Sequence, residues 1–227
     1  MRFGRSLVIS LSLILCPAWF YAQPQDPADP VTRHQTLVNG RIWRNEHIHI
    51  KGDPFLFTTQ YLDGSITIGK ITFPLVKLRY DIFLDEITMP HDSIILQLNK
   101  EKVDSFSLFW ENQWIQFLKV SDKSSIPFPG YVRNVYSDES FLFIKYQKKI
   151  DRPRVENTPD NFYQIQRIYL ICDSLVYPVK KKRDIFQAFG MYETQVKKFI
   201  RDNNIHFSRR YPSSLIPVLK YYDSLTK

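Results

Sequence analysis

The chain shows two hydrophobic periods, one after the other. From about residue 36 to 180, apolar and polar positions alternate in short runs broken by turn residues, as half-buried β-strands do. In Leu78-Arg-Tyr-Asp-Ile-Phe-Leu-Asp-Glu-Ile87, the side chains Leu78, Tyr80, Ile82 and Leu84 share one face. Arg79, Asp81 and Asp85 share the other, which predicts a strand with both aspartates on its wet side. Residues 64–73 alternate on either side of Gly69-Lys70, where parity breaks as a hairpin or bulge requires. Val38-Asn-Gly-Arg41 has the residue types of a type I′ hairpin, because both central residues tolerate positive φ. Further strands are predicted at 93–98, 103–110, 113–120, 131–136, 140–149, 162–172 and 174–179. Glu111-Asn112, Ser137-Asp-Glu139 and Asp173-Ser174 join three pairs of them, and 151–161 is the longest polar loop.

Near residue 184 the period changes to that of a helix. Asp184-Ile-Phe-Gln187 reads as an N-cap with Gln three positions on. Ile185, Phe186, Phe189, Tyr192, Val196, Phe199 and Ile200 then line one stripe, with Gly190 placed to split it and Asn203-Asn204 to stop it. A last helix is predicted from Ser214, with Pro217 inside its tolerated first turn and Leu215, Leu219, Tyr222 and Leu225 on its apolar side. Closely spaced strands leave no room for crossover helices. The expected fold is therefore mainly β: an antiparallel meander forming a rolled sheet or barrel-like sandwich, with two or three C-terminal helices packed on it. A membrane barrel fits poorly, because the strands are short, several carry adjacent charges and the chain ends in amphipathic helices.

Ahead of both patterns, Arg2 and Arg5 precede the apolar run from Leu7 to Cys16. That run is too short to span a bilayer and has the charged-then-apolar order of an export signal. Cleavage after Ala22 fits the small residue there, cleavage after Ala18 is a second reading, and a lipid-modified Cys16 is a third. The expected division is a signal peptide at 1–22, a flexible linker at 23–35, an antiparallel β domain at 36–180 and a helical segment at 181–227. No transmembrane span is expected in the mature chain, which would lie in the periplasm or at the outer-membrane surface.

Composition narrows the chemistry. Two cysteines among 227 residues exclude a disulfide scaffold and any multi-cysteine zinc site. Seven glycines come with no phosphate-cradling Gly-rich motif and no G-x-S-x-G elbow. Cys172, in Tyr169-Leu-Ile-Cys-Asp, reads as a small buried thiol rather than a nucleophile. His47 and His49 stand at i and i+2, so a strand there would put both imidazoles on one face. A metal would need a third ligand from His34, His91 or a carboxylate, and neither a metal nor any other cofactor is expected. Asp63, Asp81, Asp85 and Glu86 are the carboxylates from which an acid–base pair for hydrolysis could come.

Charge says more. The whole chain carries +8; loss of residues 1–22 removes two arginines and leaves 29 basic against 23 acidic residues. Residues 145–183 hold Lys145, Lys148, Lys149, Arg152, Arg154, Arg167, Lys180, Lys181, Lys182 and Arg183 against four acids, which equals the whole mature excess. Of these, Lys145, Lys149, Arg152, Arg154 and Lys180, Lys181, Lys182, Arg183 are the candidates for contact with an anionic partner. If strand ends of successive hairpins meet at one edge, they converge. Export removes nucleic acid as the partner and leaves an anionic envelope component or another envelope protein.

The segment 78–87, the strand Val103-Asp-Ser-Phe-Ser-Leu, Gly130-Tyr131, the tail from Lys180 through Asn204, and Tyr221-Tyr-Asp-Ser-Leu225 together resemble uncharacterised secreted β-rich proteins of Bacteroidetes-type bacteria. The resemblance implies a β-rich envelope protein with a helical C-terminal tail, and brings no catalytic residues. The expected function is that of an exported binding or scaffolding module. The alternative is a secreted hydrolase of glycan or peptide, using carboxylates or a His-bound metal.

Overall fold

The computed structural model describes residues 35–121, 126–153 and 158–227. Eleven strands form one antiparallel sheet: β1 (Gly40–Ile42), β2 (Leu62–Ile68), β3 (Ile71–Asp81), β4 (Glu86–His91), β5 (Ile94–Leu98), β6 (Val103–Trp110), β7 (Gln113–Val120), β8 (Gly130–Ser137), β9 (Phe141–Asp151), β10 (Asn161–Cys172) and β11 (Leu175–Val179). Three hairpins turn through two residues at positive φ: Gly69-Lys70, Glu111-Asn112 and Asp173-Ser174. Those are the turns whose twist matches that of the flanking strands.

The sheet order is β1-β5-β4-β3-β2-β6-β7-β8-β9-β10-β11. In a flat sheet β5 and β6 would stand four spacings apart, roughly 19 Å. A four-residue turn joins them instead, with Lys102 and Val103 N–H donating to Asn99 O at 3.0 and 3.3 Å. β3 and β9 are five spacings apart, roughly 24 Å if flat, yet Lys148 N–H donates to Ile82 O at 3.0 Å. The sheet therefore rolls until the turn after β3 meets β9. β3 makes the bend by pairing with β2 up to Leu78 and with β4 from Arg79 to Asp81.

Inside the roll, Ile66, Leu78, Phe106, Leu108, Phe117, Leu142, Ile144 and Leu170 are buried in the main core. Helices α1 (Lys182–Ala188), α2 (Glu193–Asp202) and α3 (Ile216–Thr226) close that same core with Ile185, Phe189, Val196, Leu219 and Tyr222. A second cluster, with Val132, Phe143 and Tyr169, lies on the opposite face of β7–β10. Phe128 stacks on Tyr169 there at 3.8 Å between ring centroids. Among the described residues, no helix is long and apolar enough to cross a membrane.

Four local expectations are corrected. Residues 78–87 are not one strand. β3 ends at Asp81, whose Oδ1 accepts the N–H groups of Phe83 and Leu84 at 2.8 and 2.9 Å and so builds the turn that follows. Alternation happens to run through that turn, and Leu84 stays 45% exposed. Asn39-Gly40 is not a hairpin either: β1 pairs with β5, and a Cβ on Gly40 would overlap Gln97 O. The glycine serves close approach, not a turn. Residues 46–49 are turn and bend rather than strand. Finally, Asp184 does not precede its helix. It occupies the first turn, and its Oδ2 accepts the N–H groups of Lys180 and Lys181, both at 2.8 Å. Gly190, at positive φ, does split α1 from α2, with a 3₁₀ turn between.

Candidate functional site

The roll brings four of the candidate acids and bases to one end of the sheet. Asp81 is buried; burial raises its pKa against the hydrogen bonds from Leu84 and Phe83. Asp85 sits four residues on at φ 60° and accepts from every side. Tyr80 Oη donates to its Oδ1 at 2.5 Å, Lys100 Nζ to Oδ2 at 2.7 Å, and Lys145 Nζ to Oδ1 at 3.1 Å. The backbone N–H of Tyr131 adds longer contacts to both oxygens. Burial alone would raise the Asp85 pKa, but Lys145, then Lys100 and Tyr80, outweigh it and hold the carboxyl below its ordinary value. Neither aspartate lies on a wet strand face. The expectation of ordinary surface charges there is overturned by the roll, which sets β9 against the β3–β4 turn.

Lys145 is the corresponding correction among the basic residues. It is 6% exposed, and its three N–H groups go to Asp85 Oδ1, Pro129 O (3.2 Å) and Tyr131 O (3.0 Å). Burial pulls its pKa down, against the attraction of Asp85. An ammonium with all three donors used and almost no exposure has nothing left for an outside anion. Lys148 is spent in the same way, on Asp53 Oδ1, Asp53 O and Phe55 O at 2.7–3.0 Å.

Three open clefts surround this cluster. One, of about 490 Å³, and another, of about 310 Å³, share Arg41, Glu86 and Gln97, and the third, of about 650 Å³, lies beside Lys100 and Gly130. Burial raises the Glu86 pKa, Arg41 faces its Oε1 at 3.5 Å, and among the described residues Oε2 has no hydrogen-bond partner. A glycosidase of the two-carboxyl kind needs a second carboxyl free to act beside it, and Asp85 is saturated by cations. Asp63 is far less buried and pairs with Lys77 at 2.8 Å.

His47 and His49 do not share a strand face. The His47 ring packs edge-on against Phe83 and Phe162, and His49 points into solvent from the turn. Among the described residues, no group of three His, Cys, Asp or Glu side chains is placed to hold a metal. Cys172 is buried, and burial, with Asp173 and Asp223 nearby, pushes its thiol up to about 12. A thiol so protonated is a packing group.

The remaining basic candidates divide into two places. Lys149 is exposed opposite Tyr163, and Arg152 faces Asp160 at 3.6 Å; Arg154 lies outside the described residues. β11 covers β10 only from Ile168 to Cys172, with Val179 opposite Ile168. Lys180 therefore leaves the sheet about five residues, roughly 17 Å, from the position of Lys149. The strand-end convergence expected for the whole set does not occur.

Lys180, Lys181, Lys182 and Arg183 find different company. All four are exposed, and among the described residues none of them has an ion-pair partner within 4 Å. Helix α1 carries Lys182 to a cleft of about 350 Å³ against α2, where Lys197, Arg201 and His206 complete the rim and Phe186, Ile200 and Ile205 the floor. Lys182 Nζ and Lys197 Nζ approach the same Phe186 ring, at 6.0 and 5.0 Å from its centroid. Lys197 pairs with Glu193, and Arg201 with Asp202 at 3.5 Å, both at exposed positions. Lys197 and Arg201 escaped the sequence reading, although their i, i+4 spacing on a helix was the available signal. No protein-family model matches the chain, and no curated protein and no solved structure is detectably similar to it.

Proposed function

We propose that the chain is an exported cell-envelope protein that works as a binding module, with its helical cap as the surface that meets an anionic partner. The observation that carries the reading is the exposed run Lys180–Arg183, beside a cleft rimmed by Lys197 and Arg201 and without ion pairs of its own among the described residues. Bringing like charges together costs stability unless something anionic relieves it. Export rests on the N-terminal order of charges and apolar residues, and the envelope setting on the resemblance to secreted β-rich proteins. The hydrolase reading has less support, because the buried acids are committed to turns and cations.

The test is co-sedimentation with anionic and neutral vesicles at low and high ionic strength. Exposed lysines each contribute about 1 kcal/mol near an anionic surface. Replacing Lys180, Lys181, Lys182 and Arg183 together by Gln should therefore abolish retention on anionic vesicles while leaving the melting temperature in place. Equal retention by neutral vesicles, or indifference to salt and to the substitutions, would reduce the run to solvated surface. N-terminal sequencing from the native host tests export separately: an intact Met1 in the cytosol would end that part of the reading.

A further inference from the structure

The cleft between α1 and α2 differs from a merely basic patch in its floor. Phe186 and Ile205 are half-buried there, and Ile200 is buried, so the cations stand over apolar surface. The same Lys182, Phe186, Ile200 and Ile205 also border an apolar void of only about 10 Å³ beside Leu215 and Val218, too small for a hydrocarbon chain, so any such chain lies along the open floor of the cleft. A free inorganic anion has no use for such a floor. A polyanion needs charges spread along a track rather than gathered over one aromatic ring. A molecule with an anionic head and a hydrocarbon chain satisfies both parts at once, since the chain removes Phe186 and Ile205 from water while the head meets the ammonium and guanidinium groups.

We propose that this cleft seats a single-chain anionic amphiphile of lipid origin, with its head on Lys182, Lys197 and Arg201 and its chain along Phe186, Ile200 and Ile205. This rests on the reading of the helical cap as an anion-binding surface, and adds the chemical class of the ligand. Glu193 and Asp202, the present partners of Lys197 and Arg201, do not bar the head. Exposed pairs of this kind are weak, and a tetrahedral or carboxylate head can replace them. At about 350 Å³ the cleft is at the small end of ligand sites, which suits one chain rather than two.

Calorimetric titration with dodecyl phosphate, kept below its micelle concentration, is the direct test. Inorganic phosphate serves as the head alone and dodecyl maltoside as a chain with an uncharged head. Dodecyl phosphate should bind at one equivalent and at least tenfold more tightly than either control. Lys182→Gln with Lys197→Gln should weaken it about tenfold. Phe186→Ser should also weaken it about tenfold, with the melting temperature as the check on folding and Lys182→Gln with Lys197→Gln as the surface variant that does not touch the core. Inorganic phosphate binding as tightly as dodecyl phosphate would overturn the amphiphile and leave the anion-binding surface standing. Dodecyl phosphate binding unaffected by both sets of substitutions would also overturn it. Absence of any binding to anionic vesicles would remove the broader reading instead, whatever dodecyl phosphate does.

Discussion

Gly130 backs directly onto the carboxylate of Asp85. It has φ 92°, and a Cβ added to it would overlap Asp85 Oδ2 and press toward Lys145 Nζ. The first residue of β8 thus has to be glycine for two reasons, its own backbone and the space its neighbour occupies.

Gly130→Ala should therefore be among the most damaging single-methyl additions in the protein. Positive φ costs an L-residue about 1–2 kcal/mol and overpacking about 1–3 more. Thermal or denaturant unfolding should show a loss above about 2 kcal/mol. A loss below about 0.5 kcal/mol would mean that the loop before β8 yields and that Asp85 is not tightly held.

The cation cluster should respond asymmetrically. Removing Asp85 strands Lys145, which has almost no exposure, and breaking a buried pair in this way costs about 3–5 kcal/mol. Replacing Lys145 by Met leaves Asp85 with Lys100 and Tyr80 and fills a similar volume. Asp85→Ala should lower the unfolding midpoint distinctly more than Lys145→Met. The reverse order would show that Lys145, not Asp85, is the centre of the cluster.

Acid should weaken the protein through the same carboxylate. Its folded pKa is below the unfolded value of about 3.9. The unfolded chain therefore binds the proton first, and stability falls as pH drops from about 4 through the folded value. Glu86 and Asp81, whose pKa values are raised chiefly by burial, act in the opposite sense just above that window. Equilibrium unfolding measured from pH 6 to 2 should show a steep acid limb that flattens in Asp85→Asn. An unchanged limb in that variant would assign acid sensitivity to other carboxyls.

Docking of the last helix rests on a polar contact inside an apolar interface. Tyr136 Oη on β8 donates to Asp223 Oδ2 at 2.7 Å, and Asp223 is 2% exposed with no partner for Oδ1 among the described residues. A hydrogen bond to a charged group is worth about 1.5–3 kcal/mol, so Tyr136→Phe should destabilise by about that much. Hydrogen exchange should rise first in α3. Exchange rising equally throughout would show that helices and sheet unfold as one unit.

The strands and their turns were legible because each depends on neighbours in sequence. Gly69-Lys70 and Asp173-Ser174 each make a two-residue turn at positive φ, opened by a Gly or Asp suited to it, and the alternation beside them needs no distant partner. Asp85 and Lys145 were not legible, since they lie 60 residues apart and meet only after the sheet has rolled through five strand spacings. The same alternation that marked Asp81 as outward-facing ran unbroken into a turn that Asp81 itself creates. For the basic residues, a contiguous run could be seen, but its separation from Lys149 depended on how far β11 extends along β10, which no periodicity encodes. Lys197 and Arg201 joined the run only through the packing of α2 on α1.

β11 stops at Val179, opposite Ile168, and Lys51 joins β10 again at Phe162. Between them the backbone of Gln164 and Gln166 faces outward from the ladder, by the parity that pairs Ile168, Leu170 and Cys172 with β11. The chain after α2 passes over that gap, with Gln166 Nε2 donating to Arg209 O at 3.1 Å. The segment after α2 thus lies beside an unpaired strand edge as well as beside the partner-facing surface. Cutting the chain after α2 would bare that strand edge and also the core that Leu219 and Tyr222 close, so loss of the tail should show as unfolding together with edge-to-edge aggregation.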